Sequence, residues 1–218
     1  MDRIADAFVW PFRDPDGLGK VAIIGLILIV PIVGGINGLG WMLASLERLR
    51  DGDERLPPGN FDYLGKGFQL FVVLLVYYLV VVLLGAVLYV PALLILSLQG
   101  RGQPNALLVL VGLTLLFLTV SVVTIGFLAL LFAMPALVLA VDKGGIAAGL
   151  RFGEVLRRIR VSLINTLIAG LMLIAAGLVG QLGAIVCIVG VFFTSAYALA
   201  MQAWIIRSYE LGSEAPTS

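Results

Sequence analysis

The 218-residue sequence contains no histidine, a single cysteine and few charges. Without histidine it lacks the commonest general base and the commonest metal ligand. A lone cysteine, Cys187, excludes an internal disulfide, and its apolar setting reads as a small buried side chain rather than a reactive thiol. Charged residues make up 12% of the chain, about half the share of a soluble domain. The net charge of +1 removes any bulk electrostatic case for nucleic acid. Carboxylates near the middle of an apolar block, the usual equipment of a proton-coupled carrier, are absent as well.

What is present is apolar. Hydrophobic residues are 61% of the chain and mean hydropathy is +1.12. The excess runs along the whole length, so the sequence reads as an all-α, polytopic integral membrane protein with little soluble mass. The opening MDRIADAFVWPFRDPDGLGK carries mixed charge and no clear cleavage site, so it is expected to be retained. Five apolar blocks follow, at about Leu18–Leu46, Phe68–Leu98, Ala106–Val141, Val161–Val179 and Leu182–Ile206. The second and third exceed the roughly 20 residues that a span needs. They are expected to tilt or kink, with Pro91 and Pro135 as the candidate kinks. Only Gly180, Gln181 and Gly183 interrupt the last two, which read as a tight helical hairpin over 161–210.

The first block holds the helix-breaking string LIVPIVGGINGLGW, residues 28–41. Charge bias bears on its topology. Of 14 Lys and Arg, three precede block one, four follow it, one (Arg101) separates blocks two and three, five separate blocks three and four, and one follows block five. If block one crosses once, ten lie on one side and four on the other; if it enters and leaves on one side, 13 share that side and Arg101 stands alone. The spacing therefore predicts a re-entrant helical hairpin over 18–49. Its turn is expected at Pro31, Gly34, Gly35, Asn37, Gly38 and Gly40, with Asn37 supplying hydrogen bonds to the opened backbone. A turn at membrane depth must find protein or water around it, so the tip is expected to be buried. A single kinked span, with Gly34 and Gly38 as a packing surface, is the rival.

Residues 145–160 predict an interfacial amphipathic helix. Phe152, Val155, Leu156 and Ile159 share one face, and Arg151, Glu154, Arg157 and Arg158 the other, with Glu154 paired to Arg158. Arg151, Arg157, Arg158 and Arg160 are candidate ligands for anionic lipid headgroups. A solvated helix against the bundle is the plainer reading. Gly145, Gly149 and Gly153 repeat every four residues, a pattern that allows close helix contact. Residues 1–17 form a weaker interfacial segment, with Ile4, Phe8 and Phe12 toward lipid. Helices over 61–98 and 106–141 and a flexible tail at 211–218 complete a single domain over 18–210. Asp142, Lys143 and Glu47 read as interface anchors. Asp14, Asp16, Asp51, Asp53 and Glu54 read as turn and cap residues.

The strings PFRDPDGLGK, VPIVGGINGLGW, ERLRDGDERLPP, FDYLGKGF, RFGEVLRRI and FFTSAYALAMQ together resemble an uncharacterised family of prokaryotic integral membrane proteins, domain of unknown function 4013, over about residues 5–210. The resemblance implies a compact multi-helix membrane domain and carries over no catalytic residue. With no nucleophile–base pair, metal set or cofactor motif evident, the expectation is a noncatalytic protein of the prokaryotic plasma membrane with both termini cytoplasmic. It would be structural, lipid-interacting or assembly-forming, with anionic lipids and copies of itself as partners. The alternative is an oligomeric channel or facilitator for a small neutral or apolar solute, with Thr114, Ser121 and Thr124 lining a path.

Overall fold

A computed structural model describes residues 3–99, 105–186 and 189–214. Cys187, Arg101 and the last four residues of the expected tail lie outside them. Among the described residues the chain forms two short 3-10 helices, Ile4–Phe8 and Trp10–Phe12, and seven α-helices, with no strand. The helices are α1 (Gly17–Leu28), α2 (Val33–Arg50), α3 (Leu64–Gln99), α4 (Ala106–Gly149), α5 (Phe152–Val161), α6 (Leu163–Val186) and α7 (Gly190–Glu214). Three of them, α3, α4 and α6, are long and apolar enough to cross a membrane. The fold is an all-α helix assembly of a membrane protein.

The chain divides into two compact bodies, Met1–Val73 with Leu131–Ser218, and Leu74–Leu130. The smaller body is a pair of helical stretches from α3 and α4. Gly85 and Gly126 allow Val123 and Val81 to lie so close that an added Cβ would meet them at 2.5 and 2.8 Å. Tyr78 and Phe127 stack with centroids 5.6 Å apart. Its outer surface is apolar nearly all round, with Val87, Phe117 and Val120 at least 65% exposed. Such a surface suits lipid and not water.

In the larger body α7 is the hub, packed on α6, α2, α1 and the N-terminal 3-10 helix. Its small residues make this possible. Ala196, Ala198, Ala200 and Ala203 are all buried, and they let neighbouring backbones approach. Gly183 of α6 and Gly190 of α7 touch backbone to backbone. Thr194 accepts the Gly183 N–H at 3.3 Å and donates to the Gly180 carbonyl at 2.6 Å. Thus α6 runs through the glycines expected to form its turn, and the reversal comes after Val186.

Block one does reverse. Lys20, near the start of α1, and Arg48, near the end of α2, both donate to the carbonyl of Leu56, at 2.9 and 3.2 Å. Both arms therefore begin and end together, as in a helical hairpin and unlike a single kinked span. The turn is tighter than expected, at residues 29–32, and contains only Pro31 of the anticipated set. Gly34, Gly35, Asn37, Gly38 and Gly40 lie inside α2. Helix there retains the backbone hydrogen bonds, and three of the glycines serve close approach. A Cβ on Gly34 would sit 2.1 Å from the Ile27 carbonyl oxygen, one on Gly38 2.9 Å from Leu28 and Leu199, and one on Gly40 2.0 Å from the Tyr63 carbonyl oxygen. Nor is the tip buried, since Ile32 is 70% exposed and takes φ of 64°. The tip satisfies itself: Ile29, Val30, Val33 and Gly34 all donate to carbonyls within four residues.

The bounds of the amphipathic helix are corrected. Pro91 and Pro135 stand within continuous helix, and α4 leaves helical geometry at Gly144 and Gly145, where φ of 65° favours glycine. The amphipathic helix accordingly starts at Phe152 rather than 145, and its break removes the Gly145–Gly149–Gly153 stripe. Of those glycines, Gly149 packs on Val73 and Val141, while Gly153 has nothing within 4 Å. Finally, residues 3–12 dock on α7 and leave Phe12 exposed. Trp10 is fully buried against Trp204 at 5.5 Å, and Trp204 Nε1 donates to the Arg3 carbonyl at 2.8 Å.

Candidate functional site

Thirteen of the 14 basic residues fall among the described residues, all in the larger body. Ion pairs and loop contacts join many of them at one end of it. The segment 51–63 is held there by side chains from several elements. Asn37 donates to the Asn60 carbonyl at 2.8 Å and accepts the Tyr63 N–H, so it braces this loop and not the hairpin tip. Trp41 donates to the Pro57 carbonyl. Asp14 is buried, pairs with Lys20 at 2.7 Å, and accepts N–H groups of Asp16 and Leu56. Burial alone pushes its carboxyl up, but Lys20 and the two N–H donors together hold it below the ordinary range.

A second buried acid is Glu210 on α7, 3% exposed and just beyond the apolar stretch that ends at Ile206. Its oxygens receive Arg50 at 2.8 Å, Arg207 at 2.9 Å and Lys143 at 3.0 Å. Arg50 also hydrogen-bonds Asp142. Burial raises the Glu210 carboxyl, yet the donors from Arg50 and Lys143 outweigh it and bring its pKa from 4.5 to about 2. The cluster ties the ends of α2, the α4 turn and α7 together.

A cavity of about 300 Å³ opens beside this cluster. Its charged lining is Lys143, Arg157, Arg158 and Glu210, with Lys143 paired to Glu210 at 3.0 Å; the hydroxyls of Tyr209, Ser162 and Ser213 and the apolar Leu139 and Val161 complete the wall. Ser162 and Thr166 lie within 3.4 Å of the Tyr209 hydroxyl, which fixes that side of the wall.

The four expected headgroup arginines divide. Arg157 and Arg158 line the cavity, whereas Arg160 joins Arg157 in a shallower depression with Gly153 and Leu156. Arg151 caps the start of α5 and pairs with Glu154 at 3.3 Å, so Glu154 faces back one turn rather than forward to Arg158. Among the described residues, Arg157, Arg158 and Arg160 have no ion-pair partner. Glu47 meets Lys66 across α2 and α3 rather than its neighbours Arg48 and Arg50. Asp142 and Lys143 are less interface anchors than members of the Glu210 cluster. Glu210 and Tyr209 escaped notice in the sequence. The available signal was an acid one turn after Arg207, at the end of the last apolar block.

Two of the three expected path-lining hydroxyls serve their own helix. Thr114 and Ser121 donate to the carbonyls of Leu110 and Phe117, four residues back. Among the described residues no group of three or more Cys, Asp or Glu side chains is placed to hold a metal ion.

Comparison with known proteins adds one match. A family model described as a protein of unknown function, DUF4013, fits residues 23–189. It takes in the hairpin glycines, the 47–68 segment and α5, and leaves out PFRDPDGLGK and FFTSAYALAMQ, which the resemblance had included. No curated protein and no solved structure matches the chain. Matched over most of its length, this helical membrane protein belongs to the DUF4013 family.

Proposed function

We propose that the protein is a noncatalytic module of the plasma membrane that holds anionic lipid at the inner leaflet. The carrying observation is the basic cavity. Arg157 and Arg158 lack ionic partners among the described residues, yet stand with Lys143 over Leu139 and Val161. Cations left uncompensated beside apolar carbon favour an anion that brings its own chain. The charge bias supports a cytoplasmic side for this end of the larger body and for both termini. The α1–α2 hairpin then dips into the bilayer from that side. Its 12- and 18-residue arms measure about 18 and 27 Å, short of a core of about 30 Å. Its exposed apolar tip, with locally satisfied N–H groups, suits that depth. Close helix contacts and the apolar surface of Leu74–Leu130 support a homo-oligomer within the bilayer. The channel reading carries less weight, because the hydroxyls of Thr114 and Ser121 are taken up by their own backbone.

The test is lipid retention. Protein purified in mild detergent should carry anionic phospholipid, which native mass spectrometry can count. Arg157→Gln with Arg158→Gln should lower it several-fold, as should high salt, with topology unchanged. Equal anionic lipid on both proteins would reduce these arginines to insertion signals.

A further inference from the structure

A second cavity, of about 410 Å³, lies between the α1–α2 hairpin, α6 and α7 in the larger body. Its walls are apolar, among them Leu28, Leu39 and Phe71, and no charged residue lines it. Three neutral polar side chains do: Gln181 of α6 and Ser195 and Gln202 of α7. Counted back along α7 from Glu210, Gln202 lies about 12 Å and Ser195 about 22 Å from the charged end.

Several other polar side chains in the apolar helices are satisfied. Thr114, Thr119 and Ser121 bond their own backbone, and Thr194 bonds α6. By contrast, none of the described residues hydrogen-bonds the side chains of Gln181, Ser195 or Gln202. Gln181 is exposed and Ser195 and Gln202 are half-buried, so in a bilayer these groups would face hydrocarbon unpaired, a cost that an occupant of the cavity pairing with them would relieve. The volume falls in the usual range for small-molecule sites, roughly 300–1,000 Å³. Two glycines keep it open: a Cβ on Gly35 or Gly177 would meet nothing within 4 Å. The rim includes Ile32, a β-branched residue held at φ of 64°, a strained conformation of the kind found at ligand sites.

We infer that this cavity binds a neutral single-chain lipid with a glycerol head, the class of a monoacylglycerol. Absence of charge in the lining selects a neutral head. Glutamine amides both donate and accept, as glycerol hydroxyls do, so each hydroxyl finds a complement. Polar groups spread over about 10 Å of α7 suit a head with several oxygens better than a single hydroxyl. Leu28, Leu39 and Phe71 offer the wall for the chain. The inference is independent of the basic cavity at the charged end.

A diazirine-bearing monoacylglycerol, presented to the protein in phosphatidylcholine nanodiscs, tests it. A hydrocarbon and a fatty acid with the same photoreactive chain serve as comparators. The monoacylglycerol should label α6 around 177–181 and α7 around 195–202, about tenfold above either comparator. Gln181→Leu with Gln202→Leu should reduce that labelling about tenfold. Gly177→Leu, which occupies the cavity, should abolish it, and Gly35→Leu does the same service if the first variant fails to fold. Arg157→Gln with Arg158→Gln should leave it unchanged, which separates this site from the headgroup cavity. Labelling by the hydrocarbon as strong as by the monoacylglycerol would overturn the inference. So would labelling that survives both glycine substitutions in folded protein, or that follows the arginines.

Discussion

Replacing Glu210 with glutamine removes the charge around which the polar end of the larger body is assembled. Two routes give the magnitude. The carboxyl shifts from 4.5 to about 2 on folding, and at about 1.4 kcal/mol per pH unit this amounts to roughly 3 kcal/mol. Separately, removing one partner of a buried ion pair costs about 3–5 kcal/mol. Arg50 and Lys143 are 24% and 45% exposed, so water relieves part of that. We expect Glu210→Gln to destabilise by about 2–3 kcal/mol at neutral pH. The pH dependence gives a second handle. Because the folded pKa lies below the unfolded one, the stabilisation is fully present above pH 4.5 and lost as pH falls toward 2. Asp14 is also lowered and titrates in acid, so the informative quantity is the difference between wild type and variant. Equilibrium unfolding in mixed micelles can be followed by the fluorescence of Trp10, Trp41 and Trp204, all buried in the fold. The gap between the two proteins should be largest near neutrality and close on acidification. A variant within 0.5 kcal/mol of wild type at pH 7, about the scatter of ordinary surface substitutions, would refute the reasoning. A gap that stays constant down to pH 2 would refute it too.

The remaining predictions concern packing and topology. Gly67→Ala should cost about 1–3 kcal/mol, since its Cβ would meet the Ile36 carbonyl oxygen at 1.8 Å where α2 crosses α3; Gly19→Ala, with nothing within 4 Å, should raise the melting temperature slightly. Asp14→Asn should expose the Leu56 amide to faster hydrogen exchange, because that N–H loses its charged acceptor. Trp204→Phe removes the bond to the Arg3 carbonyl and should quicken tryptic cleavage at Arg3 and Arg13 with little change at Arg55. For the re-entrant hairpin, single cysteines at Asp16 and Asp51 in a Cys187→Ala background should react with impermeant reagent only from the cytoplasmic face. Reaction from opposite faces would leave a spanning arm.

Hydropathy and the scarcity of charge determined by themselves that this is an all-α membrane protein, because burying backbone in hydrocarbon permits helices and a long apolar run has few other uses. The reversal within block one was also legible, from the proline, glycines and asparagine that interrupt it. Its position was not. Glycine both breaks helices and lets them touch, and only the neighbours decide which. Gly34, Gly38 and Gly40 face Ile27, Leu28 and Tyr63, so they became contacts and the turn fell on residues 29–32. Asn37 was recognised as a hydrogen-bonding residue in an apolar segment, but its partners on the 60–63 loop required the fold. The basic face of α5 was readable from its 3.6-residue period, whereas its first turn was not, because Gly144 and Gly145 interrupt α4 late and push the helix start to Phe152. The Glu210 cluster was the least legible. Arg50 and Glu210 are 160 residues apart, and nothing local distinguishes that arginine from its neighbour Arg48. Periodicity reports which way a side chain faces, but an ion pair is a property of two helix ends that only packing on α7 brings together.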